Sequence, residues 1–571
     1  MKQHRIFILI AIFAAALLNG AEIQKNSFAV VFDAGLTVDD AMTASKKGKL
    51  PGTPQTFVMP EIKTFNLKNL RPDYTPIKDA ALLSFVINAD EAEEIVLGVG
   101  VDYWHTLFQN GTQIGTTEPR GGGARMENGF FSRQYKVKLK EGENFFVMHT
   151  RPGTASWDVS ISNLSSAVAC GPYAFQVDRD SAVVALEYRF PVSVWLRYWE
   201  AGKSKEKMVF RNSVHGRLER KTLHRFELKN LKPDTVYQYE ILPAGGVLLT
   251  PAPTGSFKTF PASGTKHVMV AISDTQVEND ASRPNLIRKF VKHGVFKDAD
   301  VLVSVGDVAN GFNNFNRMYF DFFLQAFRDE EVTAAYLPVR GNHEMRGHDT
   351  DRYQKWFGAP YYAVRYGDVL YIVLDAGEDK NLRKNLAEVS RTDTVDYFEE
   401  QRLWMEELVK TDKFQSAKVR IVFCHAAPGR FFVGRYMTKN IEHIIGSLIG
   451  EKPVGKIDLW ISGHTHSPYR YDPVTRDITG AACRWVEDNH FEQDDLRKLP
   501  FPVYVNDGPG GSGEHYSVLR VEVNGSTLNV TCIGYSGNVL DSIVICPGRP
   551  FTVKKTSFLK YKIKEEDKKG K

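Results

Sequence analysis

Hydrophobic positions form short β-type runs in the first part of the chain. Between residues 22 and 165, runs such as EIVLGVGV, YWHTLFQ, YKVKL and NFFVMHT are separated by Gly, Asn and Pro. Such runs predict β-strands, and Asn110-Gly111 between two of them predicts a tight hairpin turn. We therefore expect residues 22–165 to form a β-sandwich that serves as an accessory domain.

A second all-β pattern covers residues 168–262, where AVVALEYRF, VSVWLRYWE and TVYQYEILP are the main runs. The turn LKPDT leads into the run that carries Tyr237. This order fits the tyrosine corner of an immunoglobulin-like sandwich, in which the hydroxyl bonds to backbone upstream. The pattern predicts a second, smaller β-sandwich.

From residue 263 to 545, fully apolar runs alternate with helical segments. The helical segments are RPNLIRKFVKHG, NNFNRMYFDFFLQAF and VDYFEEQRLWMEELVKT. This alternation predicts an α/β domain whose sheet is buried on both faces.

The two ends of the chain differ from the regions between them. Residues 1–21 combine a basic start, MKQHR, with a run of thirteen apolar residues and small residues suited to cleavage. They predict a signal peptide, and hence a secreted or periplasmic protein, with a retained signal anchor as the alternative. No later segment is apolar enough for transmembrane anchoring. Residues 546–571 predict a basic, solvated tail.

Composition narrows the class of protein. With 43% hydrophobic and 25% charged residues, the 571-residue chain is typical of soluble globular proteins. The net charge of +5 is small for this length, so we expect no nucleic-acid partner. Five cysteines leave at least one unpaired, and Cys532 with Cys546 is a candidate pair.

Potential metal ligands follow five apolar runs of the α/β region, at the point where each run ends. HVMVAIS leads to Asp274 and Gln276, DVLVSVG to Asp307, AYLPVRG to Asn342, His343 and Glu344, VRIVFC to His425, and IDLWISG to His464 and His466. In an α/β sheet, sites form at the carboxyl ends of the strands. One such histidine is usually a core residue, but the same placement after five runs indicates one shared site.

These ligand types suit two metal ions rather than one. Two carboxylates, an Asn, a Gln and three imidazoles exceed the three protein ligands of a catalytic zinc. Two divalent cations about 3.5–4 Å apart could clamp the attacking and leaving oxygens of a phosphoryl group. A carboxylate has two oxygens, so Asp307 is the natural bridge. The identity of the metals, Mn, Fe, Zn or Mg, stays open.

The motifs D-x-Q, G-D, G-N-H-E, H and G-H-x-H, read from Asp274 to His466, resemble those of the calcineurin-like metallophosphoesterase superfamily. The resemblance covers about residues 266–515 and implies a four-layer α/β domain with two central β-sheets. It assigns a first metal to Asp274, Gln276, Asp307 and His466, and a second to Asp307, Asn342, His425 and His464. His343 matches the family's non-ligand histidine, which faces the phosphate and assists the leaving group.

The order of domains resembles that of purple acid phosphatases, in which a small fibronectin type III-like domain precedes the catalytic domain. Two positions depart from the family pattern. Gln276 stands where the family usually has His, which should weaken the binding of softer metals. Asn310 stands where purple acid phosphatases carry a metal-binding Tyr, so we expect no purple colour.

Loop residues next to the ligands are candidates for contact with the substrate: Asn310, Arg346, His348 and His515. His515 ends VNDGPGGSGEH, which resembles a loop at the same place in purple acid phosphatase-like proteins; a turn that needs positive φ is the alternative. Residues 22–165 resemble the jelly-roll modules of secreted hydrolases, so contact with a polysaccharide or the cell envelope is a further expectation.

Together these features predict a secreted metal-dependent phosphoric ester hydrolase, in which a metal-bridging hydroxide attacks phosphorus. His343 and Asp307 are the predicted catalytic residues, and phosphomonoesters are the favoured substrates. Two alternatives stay open. One is an extracytoplasmic phosphodiesterase, and the other is a catalytically silent surface or carbohydrate-binding protein with the same fold.

Overall fold

The computed structural model describes most of the chain after the predicted signal peptide. The described residues are 21–59, 64–122, 133–154, 156–165, 167–244, 252–277, 282–379, 395–428, 435–449, 453, 455–480, 499–506 and 516–560. The chain separates into two compact units. The first comprises Met1–Tyr173, Ala185–Phe226 and Tyr237–Ser256, and the second Ala174–Val184, Glu227–Val236 and Phe257–Lys571.

The first compact unit begins with a β-sandwich. Its strands are β1 (Glu22–Ile23), β2 (Phe28–Phe32), β3 (Gln55–Phe57), β4 (Phe65–Asn66), β5 (Ala81–Ala89), β6 (Glu93–Val101), β7 (Tyr103–Gln109), β8 (Thr112–Thr116), β9 (Arg133–Leu139), β10 (Gly142–Pro152) and β11 (Asp158–Asn163). One sheet has the order β3-β2-β5-β10-β7-β8, with β1 beside β5, and the other has the order β4-β11-β6-β9. Phe85 and Phe146 of one sheet and Leu97 and Val159 of the other belong to one buried core. This confirms the expected sandwich.

The hairpin predicted at Asn110-Gly111 is also confirmed. Both residues have positive φ, 51° and 79°, and Gln109 pairs with Thr112 across the turn. Such angles at both central residues match the right-handed twist of the flanking strands.

A second group of strands follows: β12 (Val168–Phe175), β13 (Ala182–Glu200), β14 (Met208–Phe210), β15 (Ser213–Val214), β16 (Arg217–Leu218), β17 (Arg220–Leu228), β18 (Val236–Pro243) and β19 (Thr254–Lys258). The runs AVVALEYRF and VSVWLRYWE, predicted as separate strands, form the single strand β13, which passes through Pro191. The alternation of buried positions continues there, since Phe190 and Val192 are buried and Pro191 is half-buried. β13 pairs with β14 and with β18.

The second compact unit contains two further sheets. Its strands are β20 (His267–Ile272), β21 (Val301–Val305), β22 (Ala335–Val339), β23 (Tyr362–Tyr366), β24 (Val369–Leu374), β25 (Val419–Cys424), β26 (Leu459–Ser462), β27 (Tyr469–Asp472), β28 (Asp477–Gly480), β29 (Val503–Val505), β30 (Ser517–Asn524), β31 (Thr527–Gly534), β32 (Val539–Ile545), β33 (Thr552–Thr556) and β34 (Leu559–Lys560). One sheet includes the order β22-β21-β20-β30-β31-β32-β33, and the other has the order β23-β24-β25-β26-β29-β27-β28-β34. β20, β21 and β22 are parallel, as are β24, β25, β26 and β29.

Helices lie between these strands, as the alternating pattern predicted. Among the described residues, the longer helices are Val38–Lys47 in the first unit, and Ser282–Lys292, Asp351–Phe357, Val395–Lys410 and Arg435–Ile444 in the second. The predicted helix 313–327 is a π-helical segment, Asn316–Leu324, continued by the α-helical turn Gln325–Arg328. Short helices are Asp412–Gln415 and Gly446–Ile449, and 3-10 turns are Lys25–Ser27, Leu67–Asn69 and His343–Met345. No helix among the described residues is long and apolar enough to cross a membrane.

The two sheets of the second unit face each other. His267 of β20 hydrogen-bonds to Tyr371 of β24. Arg470 of β27 forms a buried ion pair with Asp541 of β32, with 2.9 Å between Arg470 Nε and Asp541 Oδ2. These contacts join the inner faces of the sheets.

Helices cover the outer faces. Met405 of the helix Val395–Lys410 and Ile441 of Arg435–Ile444 pack in one core with Ile372 of β24. On the other sheet, the hydroxyl of Tyr319 in the π-helical segment lies 2.6 Å from that of Tyr336 on β22. The order helix, sheet, sheet, helix is the four-layer arrangement expected for this region.

Two sequence predictions need correction. The basic tail expected from residue 546 is partly a strand, since β33 pairs with β32 through Ser542 and Lys555. β33 ends its sheet, and lysine side chains on such an edge strand stay in solvent. Cys532 and Cys546 do not form a disulfide. Cys532 is on β31 and lies opposite Asp541 of β32. Cys546 follows the end of β32 and contacts Thr527 instead, so the predicted pair does not form.

Candidate active site

The candidate ligands meet where the ends of two facing sheets come together. Asp274, Asp307 and Asn342 follow β20, β21 and β22 of one sheet, while His425 and His464 follow β25 and β26 of the other. The side chain of His425 crosses to the first sheet, where its Nδ1 lies 2.7 Å from the carbonyl oxygen of Val305. The alternation of runs and helices alone indicated one sheet edge, whereas the two central sheets that the family resemblance implied are confirmed, and the edges of both build the site.

Asp307 lies at the centre of the cluster. Its Oδ2 is 3.2 Å from His425 Nε2 and 3.7 Å from His343 Nε2. His464 Nδ1 lies 3.2 Å from the same nitrogen of His425. One ligand atom from each of Asp307, His425 and His464 lies within 4.8 Å of the other two. This spacing would allow all three to bind one ion.

Asp274 gathers the remaining ligand types on its other side. Its Oδ1 lies 3.4 Å from His466 Nε2 and 3.9 Å from His425 Nε2. Its Oδ2 accepts the backbone N–H of His464 at 2.9 Å. Gln276 completes this side, with 3.2 Å between its Nε2 and His466 Nε2. The candidate ligands thus form two adjoining groups that share the space between Asp274 and Asp307.

The backbone at these positions has an uncommon conformation. Five candidate ligands have left-handed φ angles: Asp274 (50°), Gln276 (44°), Asp307 (54°), His464 (70°) and His466 (53°). Non-glycine residues seldom adopt such angles. A residue strained in this way costs about 1–3 kcal/mol, and such residues cluster at functional sites. Backbone hydrogen bonds hold the turns, such as Asp274 N–H to Gly306 O and Gln276 N–H to Asp307 O, both at 3.0 Å.

Glycines precede three of the candidate ligands because there is no room for a side chain. A Cβ on Gly306 would collide with His425, one on Gly341 with Asp307, and one on Gly463 with Asp274. The motifs G-D, G-N-H-E and G-H-x-H therefore record a steric requirement as well as ligand chemistry.

Glu344 fixes the backbone around Asp307. Its carboxylate is fully buried and accepts the backbone N–H groups of Asp307 (2.9 Å), Val308 (2.7 Å) and Gly341 (2.6 Å). Burial, followed by the charge of Asp307, raises the pKa of Glu344 to about 7. Glu344 therefore acts on the site through the loops that it ties together.

The charges of the cluster depend strongly on one another. Burial lowers the pKa of His425, but Asp307 and Asp274 outweigh burial and raise it to about 10. Burial and the charge of His425 lower the pKa of His464 to about 3. Burial acts to raise the pKa of Asp307, but the neighbouring His425 outweighs burial and holds this pKa well below its usual range. A cation bound here would take the place of the proton on His425.

The donor atoms fit divalent cations. Among the described residues, Asp274 Oδ1, Asn342 Oδ1 and His464 Nε2 are buried and have no hydrogen-bond partner. Buried polar atoms are normally paired, and these three are available to bind a cation. Carboxylate and amide oxygens together with imidazole nitrogens suit Mn, Fe or Zn, and the oxygens alone suit Mg.

The predicted catalytic histidine lies beside this cluster. His343 Nδ1 donates to the carbonyl oxygen of Asn310 at 2.7 Å, and its backbone N–H donates to Asp307 Oδ1 at 2.9 Å. Arg346 Nη1 lies 2.8 Å from His343 Nε2. Asn310 and Arg346 are therefore at the site, Asn310 through its backbone carbonyl. His348 is exposed, with its backbone N–H bonded to Asn313, and His515 lies outside the described residues.

Two acidic residues that the sequence reading missed lie next to Arg346. Glu378 and Asp379 follow β24 and pair with its guanidinium. Asp379 Oδ1 also lies 3.4 Å from Asn342 Nδ2. Their position shortly after an apolar run could have identified them as site residues, because the other candidates were identified by the same rule.

The comparisons with known proteins agree with this geometry. Residues 268–468 match the family model of calcineurin-like phosphoesterases, a family that implies divalent metal ions. No curated protein sequence matches the chain.

Solved structures show distant likeness. Purple acid phosphatase PPD1 from yellow lupin (Lupinus luteus) seeds is 14% identical over 82% of this chain and 93% of its own, with a TM-score of 0.43. PhoD is 12% identical over 69% of this chain and 92% of its own, with a TM-score of 0.44. A dimetal phosphatase from Danio rerio is 10% identical over 49% of this chain and 99% of its own, with a TM-score of 0.33. Likeness at this level carries no information about the substrate.

The matched region includes every candidate ligand from Asp274 to His466. Residues 268–468 therefore form a calcineurin-like phosphoesterase domain, and the protein is a metal-dependent phosphoric ester hydrolase.

Proposed function

We propose that this protein is an extracytoplasmic phosphomonoesterase that uses two divalent cations. Asp274, Gln276, Asp307 and His466 would hold the first cation, and Asp307, Asn342, His425 and His464 would hold the second. The preference for monoesters follows from the resemblance of residues 168–262 to the small β domain that precedes the catalytic domain in purple acid phosphatases.

The observation that carries the proposal is the convergence of the ligand types on one buried space. His425 Nε2 lies 3.2 Å from one carboxylate, that of Asp307, and 3.9 Å from the other, that of Asp274. The unpaired atoms Asn342 Oδ1 and His464 Nε2 belong to the same cluster. Buried groups without partners are costly, so a cation that satisfies them would also stabilise the fold.

Each side chain then has a defined task. Divalent cations held by these residues would supply an activated water and would offset charge on the phosphoryl oxygens. Asp307 holds both cation positions, while Glu344 fixes the turn on which Asp307 stands. His343, beside Asp307 and partly exposed, faces the substrate and assists the leaving group. No covalent intermediate on the protein is required.

An assay of two esters with several metals tests the substrate class. The metal-free protein is loaded with Mn, Zn, Fe or Mg and given para-nitrophenyl phosphate or bis(para-nitrophenyl) phosphate. The proposal expects faster hydrolysis of the monoester. Preference for the bis-ester would instead make the protein a phosphodiesterase, and no turnover of either ester with bound metal would support a silent binding protein.

Replacing His343 by Ala should reduce kcat by about 10²–10⁴-fold, the usual contribution of a proton-transferring side chain. Metal content should be unchanged, because His343 is not assigned as a ligand. Steady-state kinetics and elemental analysis of the same sample measure both quantities. His293→Ala, at an exposed position after the helix Ser282–Lys292, is the control. Full activity in the His343 variant would refute its assigned role.

Replacing Gln276 by His should strengthen zinc binding at the first position. An imidazole is a better zinc ligand than an amide oxygen. We expect zinc affinity to rise by at least about tenfold, because even residues that only hydrogen-bond to metal ligands change metal affinity by this factor. Competition with a chromophoric chelator measures the affinity. Gln276→Asn keeps the amide on a shorter side chain and serves as the matched control. Equal zinc affinity in all three proteins would exclude Gln276 from the first position.

Export and surface contact complete the proposal. The basic and apolar residues 1–21 support secretion, which N-terminal sequencing of the exported protein would test by finding a new terminus near Ala21 or Glu22. Contact of residues 22–165 with a polysaccharide stays a prediction, and co-sedimentation with insoluble polysaccharides is its measurement.

A further inference from the structure

Arg346 has a fixed position next to the catalytic cluster. It follows the 3-10 turn His343–Met345, and its backbone N–H donates to His343 O at 3.0 Å. Its carbonyl oxygen accepts the N–H of Phe312 at 2.8 Å. The start of the side chain is therefore set by backbone bonds on both sides.

Two carboxylates hold one edge of the guanidinium. Arg346 Nε lies 3.0 Å from Glu378 Oε2, and Nη2 lies 2.7 Å from Glu378 Oε1. Nη2 also donates to Asp379 Oδ1 at 2.6 Å. The Glu378 side chain is 1% exposed and those of Arg346 and Asp379 are 14% and 15% exposed. A bidentate pair of this kind fixes the plane of the guanidinium as well as its position.

The other edge of the guanidinium points toward the site. Arg346 Nη1 lies 2.8 Å from His343 Nε2, which itself lies 3.7 Å from Asp307 Oδ2. A phosphoryl group held at Asp307 and His343 would therefore be within reach of this edge. The planar fork of arginine matches phosphoryl oxygens in a way that a lysine ammonium does not.

We infer that Arg346 contacts the phosphoryl group of the substrate and favours dianionic monoesters over diesters, and that Glu378 and Asp379 are positioning residues for it. The inference rests on the proposed phosphoesterase activity and assigns its substrate preference to particular residues. A monoester carries close to two negative charges above its second pKa of about 6, whereas a diester has no second ionisation. A fixed guanidinium therefore stabilises the monoester more.

The test compares three variants with the wild type. R346K keeps the charge but loses the fork, and R346M/E378Q removes the guanidinium without leaving the buried Glu378 charge unpaired. E378Q alone removes the bidentate hold. R288M is the matched control, because Arg288 pairs with Asp329 on the surface through Nη2 at 2.6 Å. Each protein is loaded with the same metal and assayed with para-nitrophenyl phosphate and its bis-ester.

We expect R346K and R346M/E378Q to lower kcat/KM for the monoester by about 10²-fold, the loss typical of one stabilising donor, with much less effect on the bis-ester. Metal content should equal that of the wild type. E378Q should act mainly through KM for the monoester. Equal losses for both esters, or loss of metal, would show a structural role and overturn the inference.

Binding of inorganic phosphate provides a readout that does not depend on turnover. Calorimetric titration of the metal-loaded proteins should show affinity at least about tenfold weaker in R346K and R346M/E378Q, the scale of a charge-assisted hydrogen bond. Unchanged phosphate affinity would overturn the inference even in an active enzyme. A wild-type protein that binds phosphate but hydrolyses neither ester would refute the proposed function while leaving the assignment of Arg346 standing.

Discussion

Replacing Asp307 by Asn is expected to remove most of the activity together with the bound metal. Asp307 is buried, lies 3.2 Å from His425, and is the residue assigned to both cation positions. An amide has only one oxygen and no charge, so it cannot bridge two cations. We expect kcat/KM to fall by more than about 10²-fold, beyond the loss of a single stabilising donor, together with loss of bound metal.

Elemental analysis and ester hydrolysis on the same preparation measure this result. Asp351→Asn is the matched control, because Asp351 is an exposed carboxylate paired with Lys355 at the start of a helix. Restoration of activity by a large excess of metal would indicate weakened affinity alone. Full metal content with full activity in the Asp307 variant would refute the dinuclear assignment.

Replacing Arg340 by Leu is expected to give the largest loss of stability. Arg340 Nε lies 2.9 Å from Asp375 Oδ2, and the two side chains are 7% and 0% exposed. The Tyr397 hydroxyl donates to the same oxygen at 2.5 Å. Without Arg340 the carboxylate of Asp375 would be buried and uncompensated, which costs about 3–5 kcal/mol of unfolding free energy.

The double variant Arg340→Leu with Asp375→Leu isolates the cause. It removes both charges, so much of the lost stability should return, because apolar replacement of a buried pair is often close to neutral. Arg402→Leu, which breaks a surface pair with Glu399, should cost far less stability, because solvent screens exposed ion pairs. Urea unfolding of the metal-loaded proteins measures all three. A double variant no more stable than Arg340→Leu would mean that lost side-chain packing, rather than the unpaired charge of Asp375, causes the loss of unfolding free energy.

Much of the candidate site could be predicted because its ligands follow local rules. Each stands directly after an apolar run, and an apolar run of five or six residues with β-branched members is strongly biased toward a buried strand. Asp274, Asp307 and His425 were found in this way. The accessory sandwich and the α/β layers were predicted for the same reason, since alternation with period 2 or 3.6 is a local property.

Other features depend on contacts between distant residues, and local patterns did not predict them. Only the family resemblance implied two central sheets, and the division of β20–β22 and β25–β26 between them follows from tertiary pairing, which no local pattern encodes. The clamp of Glu378 and Asp379 on Arg346 joins residues 32 and 33 positions apart. The segment that forms β33 was predicted to be a solvated tail because it contains lysines, which normally lie in solvent. An edge strand also leaves lysine side chains in solvent, so the lysines fit both structures.

The glycines before the ligands also bear on how such a site can change over evolutionary time. Gly306, Gly341 and Gly463 each adjoin a ligand from a different strand, so a methyl group at any one of them would displace a neighbouring loop rather than its own. Each of these loops is thus constrained by a loop that follows another strand, and a shift in one requires accommodation in its neighbour. A lineage could therefore exchange one liganding side chain, as at Gln276, far more readily than it could move the loop that carries it.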